Sequence, residues 1–135
     1  MARQDYPAAA ALLSPLAQAG SRDAQASLGY LYEIGRGVPQ DYSEALKWFR
    51  RAAEQGIGEA QYELGSMYDN GHGVRQDFGE AVKWYRRATD RGVPPAQFGL
   101  GSMYANGQGV PHENHQPYLT INYIIALNGV YPSRS

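Results

Sequence analysis

Hydrophobic residues recur along the chain at steps of three and four positions, which is the spacing of one face of an α-helix. One run of this kind holds Leu28 and Tyr32, and a second holds Ala45, Trp48 and Ala52. A glycine-rich segment separates the two runs. The pattern therefore predicts two helices joined by a turn, which we name helix A and helix B in chain order.

The same pair recurs with a period of 36 residues. Residues 24–59 and residues 60–95 align without a gap, and a divergent copy, a C-terminal repeat or cap, occupies residues 96–131. Residues 5–23 match the second half of a unit and are interpreted as a half repeat. Because such self-similarity is typical of stacked helical repeats, residues 1–135 are predicted to form one all-α domain of about seven helices.

Polar residues and glycines mark the predicted helix ends. Asp41, with Glu44 three residues later, is typical of the start of a helix, and Gly56 is placed to end helix B. A further glycine recurs inside each helix A, where it costs about 1 kcal/mol relative to alanine. We therefore predict that another helix packs closely against these glycines. They are Gly29, Gly65 and Gly101.

Two glycines separated by one residue, Gly35 and Gly37 in the first full unit, lie in the turn between helices A and B. Similar glycine pairs occur in phosphate-binding loops, but those loops need a preceding strand or a following Lys-Ser/Thr. Gln40 stands where a third glycine would be required, and no G-K-[ST] motif occurs. The glycines are therefore predicted to supply the positive backbone angles of a tight helix-to-helix turn.

Composition narrows the classes of function. The chain is 43% hydrophobic and 19% charged, with a formal net charge of -1. A near-neutral balance gives no reason to expect a nucleic-acid partner. The chain has no cysteine, which excludes disulfides, thiolate catalysis and cysteine-bound metals.

An apolar stretch near the start, Ala8 to Gly20, is similar to a signal peptide. Pro7 and Pro15 interrupt it, and Arg3 is the only cation before it. We interpret the stretch as part of the half repeat. Since no stretch is long enough to span a bilayer, membrane insertion is not expected.

Candidates for catalysis and metal binding are few. No serine is followed by lysine at the third position, and no G-x-S-x-G motif is present. His112 and His115 flank Glu113 at a spacing that could bind a metal on a helix, but Pro111 and Pro117 disfavour a helix there. We therefore expect no catalytic residue, no metal and no cofactor.

The repeated sequences KWFRR and KWYRR combine aromatic residues and cations, as some single-strand binding surfaces do. Helical spacing predicts Trp48 and Trp84 on the apolar face, with the cations on the opposite, solvated face. Both tryptophans are expected to be buried between units. The cations are Lys47, Arg50, Lys83 and Arg86.

Three motifs, AQxxLGxxY, GxGV and DxxEAxKWxRRA, resemble the Sel-one-like repeat (SLR), a branch of the tetratricopeptide-like helical solenoids. The resemblance extends from residue 5 to about residue 111. It implies a right-handed α-solenoid whose A helices line a concave groove, and an adaptor or scaffold that binds a protein or peptide there. In the first full unit the matching residues are Ala24, Leu28, Gly29, Tyr32, Gly35, Gly37, Ala45, Trp48, Ala52, Ala53 and Gly56.

The outward positions of helix A vary between units, and we predict that they bind the partner. Tyr62 and Phe98 are expected to act as aromatic anchors. Glu33 and Asp69 are the charged members, so the groove should favour a neutral or basic peptide. The predicted binding residues are Tyr30, Glu33, Tyr62, Ser66, Asp69, Asn70, Phe98, Ser102 and Asn106, and Ala26, Ile34 and Ala105 complete the surface.

Two other functions stay open on the sequence alone. Some cysteine-rich relatives suggest a small enzyme or binder acting on peptidoglycan or β-lactam-like ligands, although the cysteines and a Ser-x-x-Lys motif are absent here. The chain could also be a structural spacer that assembles with copies of itself. The scaffold is the preferred hypothesis because a repeated frame with variable outward positions suits partner selection.

Residues 117–131 carry more apolar side chains than the last helix of a stack needs. The segment is predicted either to cap the stack or to mediate self-association, with a homodimer as the favoured arrangement. The residues predicted to make that contact are Tyr118, Ile121, Ile124 and Ile125.

Overall fold

The computed structural model describes residues 5–109. This part of the chain contains six helices and no strand, which confirms the predicted all-α solenoid. The helices are α1 (Tyr6–Gln18), α2 (Arg22–Ile34), α3 (Tyr42–Glu54), α4 (Gly58–Asn70), α5 (Phe78–Asp90) and α6 (Pro94–Ala105).

Each helix packs mainly on its neighbours in the sequence, as a solenoid requires. The A helices are α2, α4 and α6, and the B helices are α1, α3 and α5. The most extensive contacts join α2 to α3 and α4 to α5, so the A helices α2 and α4 each pair with the B helix that follows.

The predicted helix ends are confirmed. The Oδ1 atom of Asp41 accepts hydrogen bonds from the backbone N–H groups of Ser43 and Glu44, at 3.0 and 3.2 Å, and so begins α3. Gly35 ends α2 in the left-handed region at φ 73°, and Gly56, at φ 94°, follows α3.

The second glycine of each turn lies against the start of the preceding B helix. A side chain at Gly37 would collide with the backbone carbonyl of Tyr6, and one at Gly73 would lie 2.5 Å from the carbonyl oxygen of Tyr42. Gly37 also has a positive φ of 77°. The glycine pair therefore forms the turn and lets consecutive units pack closely, in agreement with the predicted turn geometry.

The glycines inside the A helices meet aromatic rings. A Cβ atom at Gly29 would lie 2.8 Å from Cδ1 of Phe49, and one at Gly65 would lie 2.8 Å from Cδ1 of Tyr85. The predicted close packing is confirmed at these two positions. At Gly101 no described atom lies within 4 Å of the Cβ position, and Ile121, one period after Tyr85, is outside the described residues.

Both tryptophans are buried, as predicted. Trp48 is 4% exposed and Trp84 is 3% exposed. Trp48 belongs to a small core cluster with Ala17, Ala24 and Leu28, which lie on α1 and α2. Trp84 belongs to the larger core of the following units.

The predicted separation of cations from tryptophans is only partly correct. Lys47 and Arg51 are exposed, yet their charged ends lie 5.2 and 4.8 Å from the ring centre of Trp48. Arg50 donates a hydrogen bond to the hydroxyl of Tyr68. The long alkyl stems allow the cations to fold back over the rings, which a projection of Cα positions does not show.

Among the helices of residues 5–109, none combines the length and apolarity that crossing a membrane requires. The candidate metal residues and the predicted self-association segment lie outside the described residues, and those two interpretations stay predictions. The residues are His112, Glu113, His115, Tyr118, Ile121, Ile124 and Ile125.

Candidate functional site

The residues predicted to bind a partner lie on the A helices, and most of them surround one pocket. The pocket has a volume of about 270 Å³ and lies between α4 and α6. Six of the nine predicted residues line it, whereas Tyr30, Glu33 and Asn106 do not. The six are Tyr62, Ser66, Asp69, Asn70, Phe98 and Ser102.

Aromatic rings form much of the wall. Tyr62 stacks on Tyr85 with ring centres 5.7 Å apart. Phe98 is 81% exposed, although it is a large apolar side chain. Gly99 and Met103 also line the pocket. The site thus combines a fixed aromatic stack with an exposed ring that can gain contacts.

Tyr85 was not predicted as a site residue, because the predicted binding positions all lie on A helices and Tyr85 lies on the B helix α5. Its ring lies close to two glycines of neighbouring A helices. The Cβ position of Gly65 is 2.8 Å from Cδ1 of Tyr85, and that of Gly99 is 3.2 Å from Cζ. A tyrosine where the preceding unit has Phe49 was the signal that could have identified it.

The Tyr85 hydroxyl donates a hydrogen bond to Oδ2 of Asp69 at 3.2 Å. Burial raises the pKa of Tyr85 above its ordinary value, and the charge of Asp69 raises it further. Burial, followed by the charge of Glu63, likewise raises the pKa of Tyr62. Both phenols therefore remain protonated and can act as hydrogen-bond donors.

A second polar cluster links α2 to α4. The carboxyl groups of Glu33 and Glu63 are hydrogen-bonded to each other. Burial raises the pKa of Glu63 to about 7, and the charge of Glu33 and the hydrogen bond add to this. Burial also raises the pKa of Glu33, and the charge of His72 opposes the rise. The pair thus retains a proton at pH values where an exposed glutamate would be ionised.

Glu63 was not among the predicted residues. The equivalent positions are Ser27 in the preceding unit and Gly99 in the next. Variation among serine, glutamate and glycine on an otherwise repeated frame was the available signal.

Tyr30 lies beside the carboxyl pair and packs against a buried residue of α3. Its ring meets Phe49 edge to face, with centres 5.0 Å apart. Burial raises the pKa of Tyr30 to about 12, with Glu63 as the next contributor. Tyr30 therefore has a structural contact in addition to its predicted binding role.

The side-chain amide of Asn70, one of the predicted binding residues, already donates a hydrogen bond within its own helix. Nδ2 of Asn70 donates to the carbonyl of Ser66 at 2.9 Å and lies 3.3 Å from the Ser66 hydroxyl. A donor contact to a partner through this atom would have to replace those bonds.

Charges are unevenly distributed between the two kinds of helix. The A helices α2, α4 and α6 hold five acids and one cation, Arg22, whereas α3 and α5 hold six cations and four acids. Arg22 donates to the carbonyl of Gln55 at 3.3 Å. Outward residues of α2, α4 and α6 form the surface that we name the A-helix groove, after the groove predicted from the sequence. The acids of these helices lie on α2 and α4.

A larger cavity of about 410 Å³ lies near the C-terminal ends of α3 and α5. Sequence analysis did not predict it. Its walls carry both signs of charge, from Glu54 and Asp90 and from Arg87 and Arg91. It has no aromatic wall, so the pocket between α4 and α6 offers the better-defined anchor.

Within residues 5–109, no three or more acidic or histidine side chains are grouped so that they could hold a metal ion.

Comparisons with known proteins identify the repeat. The Sel1 repeat matches residues 22–57, 58–93 and 94–116. Sel1-repeat proteins commonly act as protein–protein interaction scaffolds and are generally not enzymes. The search of curated protein sequences found no match.

Three solved structures share the fold. The protective antigen c5321 of uropathogenic Escherichia coli is 41% identical, with a TM-score of 0.78 over 79% of this chain and 23% of its own. A Sel1 repeat protein of Oxalobacter formigenes is 38% identical, with a TM-score of 0.71 over 78% of this chain and 43% of its own. Cysteine-rich protein B of Helicobacter pylori is 26% identical, with a TM-score of 0.61 over 64% and 65%.

This chain therefore spans less than half the length of the first two structures. The repeated motifs, the paired helices and the match over three consecutive units agree with one another. The chain belongs to the Sel1-repeat family.

Proposed function

We propose that this protein is a scaffold that binds a peptide segment of a partner protein in the A-helix groove, with the pocket between α4 and α6 as the main anchor point. One observation carries the proposal. Six side chains at positions that vary between units surround a single pocket, while the frame around them repeats.

The exposed ring of Phe98 supports this assignment. Full burial of an apolar side chain of this size stabilises by about 1.5–3 kcal/mol, and Phe98 is 81% exposed. Aromatic side chains are frequent among the residues that dominate binding energy. Phe98 on α6 and Tyr62 on α4 both line the pocket and offer such anchors.

The packing of the residues around the pocket also favours binding without a large rearrangement. Tyr62 is stacked on Tyr85, and Tyr85 packs against Gly65 and Gly99. These contacts hold the pocket wall in place before a partner arrives. A preorganised site loses less conformational freedom on binding, so more of the contact energy contributes to affinity.

Selection of peptides from a randomised display library on the purified protein tests the proposal. Binding of the selected peptides should be lost in a Tyr62→Ala, Phe98→Ala double variant whose circular dichroism is unchanged. Leu12→Ala is the matched control, because Leu12 is an apolar residue that is 71% exposed on α1, away from the pocket. Peptides that bind the double variant as tightly as the original protein would contradict the assignment.

A further inference from the structure

The charge of the pocket comes from one residue. Asp69 is the only acid among the described residues that line it, and neither lysine nor arginine contributes to the wall. The Tyr85 hydroxyl donates to Oδ2 at 3.2 Å. A carboxylate accepts more than one hydrogen bond, so Asp69 keeps acceptor capacity for a ligand.

The cations of the adjacent helix α5 are engaged elsewhere. Lys83 pairs with Glu80 at 3.1 Å. Arg86 donates to the hydroxyl of Tyr104, and the guanidinium of Arg87 lies 4.7 Å from the ring centre of Trp84. Helices α4 and α6 contain no lysine or arginine. The charge of Asp69 is thus not neutralised by an ion pair within the described part of the chain.

Two residues of the pocket differ from their equivalents at the preceding junction between units. At the preceding junction, Glu63 occupies the position of Gly99, and Phe49 occupies the position of Tyr85. The glycine removes a side chain from the wall, and the tyrosine adds a hydroxyl beside the carboxylate. The two replacements together give a space with an acid and aromatic rings around it.

We propose that this pocket binds one lysine or arginine side chain of the partner peptide, with its cation against Asp69 and its alkyl stem along Tyr62 and Phe98. The inference rests on the proposed function and specifies the chemistry of the bound residue. A cation beside a carboxylate gains a charge-assisted hydrogen bond, and a cation over an aromatic face gains a further electrostatic attraction. A neutral apolar side chain would leave Asp69 with the hydrogen bond from Tyr85 but with no opposite charge beside it.

The same peptide selection gives the starting material for the test. We expect the enriched peptides to share one position that holds lysine or arginine. Lysine is replaced by norleucine, which keeps the alkyl stem, and arginine by citrulline, which keeps the planar end group. Each replacement removes the charge and should weaken binding at least about tenfold, as measured by fluorescence anisotropy.

The protein variant Asp69→Asn should bind the original peptide more weakly, by a similar factor. It should bind the norleucine or citrulline peptide about as tightly as the original protein does. Asp90→Asn is the matched control, because it removes the same charge from the end of α5, outside this pocket. Circular dichroism checks that each variant is folded.

The outcomes separate this inference from the proposed function. If neutral peptides bind as tightly as basic ones, and Phe98→Ala still abolishes their binding, the preference for a cation is wrong and the peptide groove stands. If the selection enriches no peptide, or only peptides that ignore Tyr62→Ala and Phe98→Ala, the proposed function itself is overturned.

Discussion

Trp48 and Trp84 hold the same position in consecutive units and are almost completely buried, at 4% and 3% exposure. Their Nε1 atoms have no hydrogen-bond partner among the described residues. The rings therefore contribute through apolar burial and through the cations above them. Arg51 and Arg87 lie 4.8 and 4.7 Å from the two ring centres.

Trp48→Ala should lower the free energy of unfolding by about 3–5 kcal/mol, because it leaves a large cavity between α1, α2 and α3. Urea denaturation followed by circular dichroism measures the loss, with the exposed residue change Leu12→Ala as control. A loss below about 1 kcal/mol would show that Trp48 is not a core residue of the folded protein.

Glu63 gives a second prediction at this scale. Burial first, and then Glu33, raise its pKa from 4.5 to about 7 on folding. The folded state therefore binds more protons than the unfolded state between these pH values. The contribution of Glu63 to stability is accordingly greatest below pH 4.5 and declines as the pH rises to about 7.

Urea midpoints measured at a series of pH values test this linkage. In the Glu63→Gln variant, stability should decline less as the pH rises. Above pH 7, where Glu63 must be ionised in the original protein, the variant should be the more stable of the two. Glu59→Gln is the matched control, because it makes the same change at an exposed position of the same helix. An identical profile for Glu63→Gln and the original protein would disprove the raised pKa.

At the scale of the helices, glycines decide how closely neighbouring elements approach. Gly65 lies against Tyr85, and the same ring lines the pocket between α4 and α6. In the proposed site, packing and binding are therefore coupled through one side chain. A change at Gly65 should affect both, whereas Gly101 has no described atom within 4 Å of its Cβ position.

Gly65→Ala is expected to destabilise the protein by about 1–3 kcal/mol, because the new methyl group must displace the ring of Tyr85. The control is Gly79→Ala in the exposed first turn of α5, where the preceding unit has Ser43; it is expected to be neutral or to stabilise by up to about 1 kcal/mol through helix propensity. Thermal unfolding of the two variants provides the comparison. Equal destabilisation in both would show that ring contact is not what distinguishes these glycines.

The sequence allowed the helices and turns to be predicted because their signals are local. Asp41 and Gly56 act within a few residues of their own positions, so their roles could be inferred from the neighbouring residues in the sequence. Tyr85 and Glu63 could not be assigned in this way. Tyr85 reaches the pocket past glycines on two other helices, and Glu63 acquires its raised pKa from a carboxyl on α2.

At the scale of the molecule, the two kinds of helix have different surfaces. Helices α2 and α4 are acidic and α6 carries no charged side chain, whereas α3 and α5 hold six of the seven cations in the six helices, many of them held over aromatic rings. In the proposed function, the A helices supply most of the binding residues, and Tyr85 is the pocket residue that a B helix contributes. A scaffold of this design can change its partner by changing outward A-helix residues while the B helices keep the frame.

The C-terminal segment gives a sequence-based prediction at this scale. If residues 117–131 mediate a homodimer, the combined change Ile121→Lys, Ile125→Lys should shift the protein toward monomer, because buried lysines without partners oppose association. Light scattering across a dilution series measures the mass. A constant monomer mass for the original protein at high concentration would refute the dimer.

The central claim is that a partner peptide occupies the A-helix groove at the pocket between α4 and α6. Backbone amide chemical shifts of the isotope-labelled protein, followed while a selected peptide is added, test it most directly. We predict that the largest changes fall on pocket residues of α4 and α6, among them Ser66, Asp69 and Phe98, and that they saturate. Changes confined to α1, α3 and the residues of α5 that do not line the pocket would contradict the account.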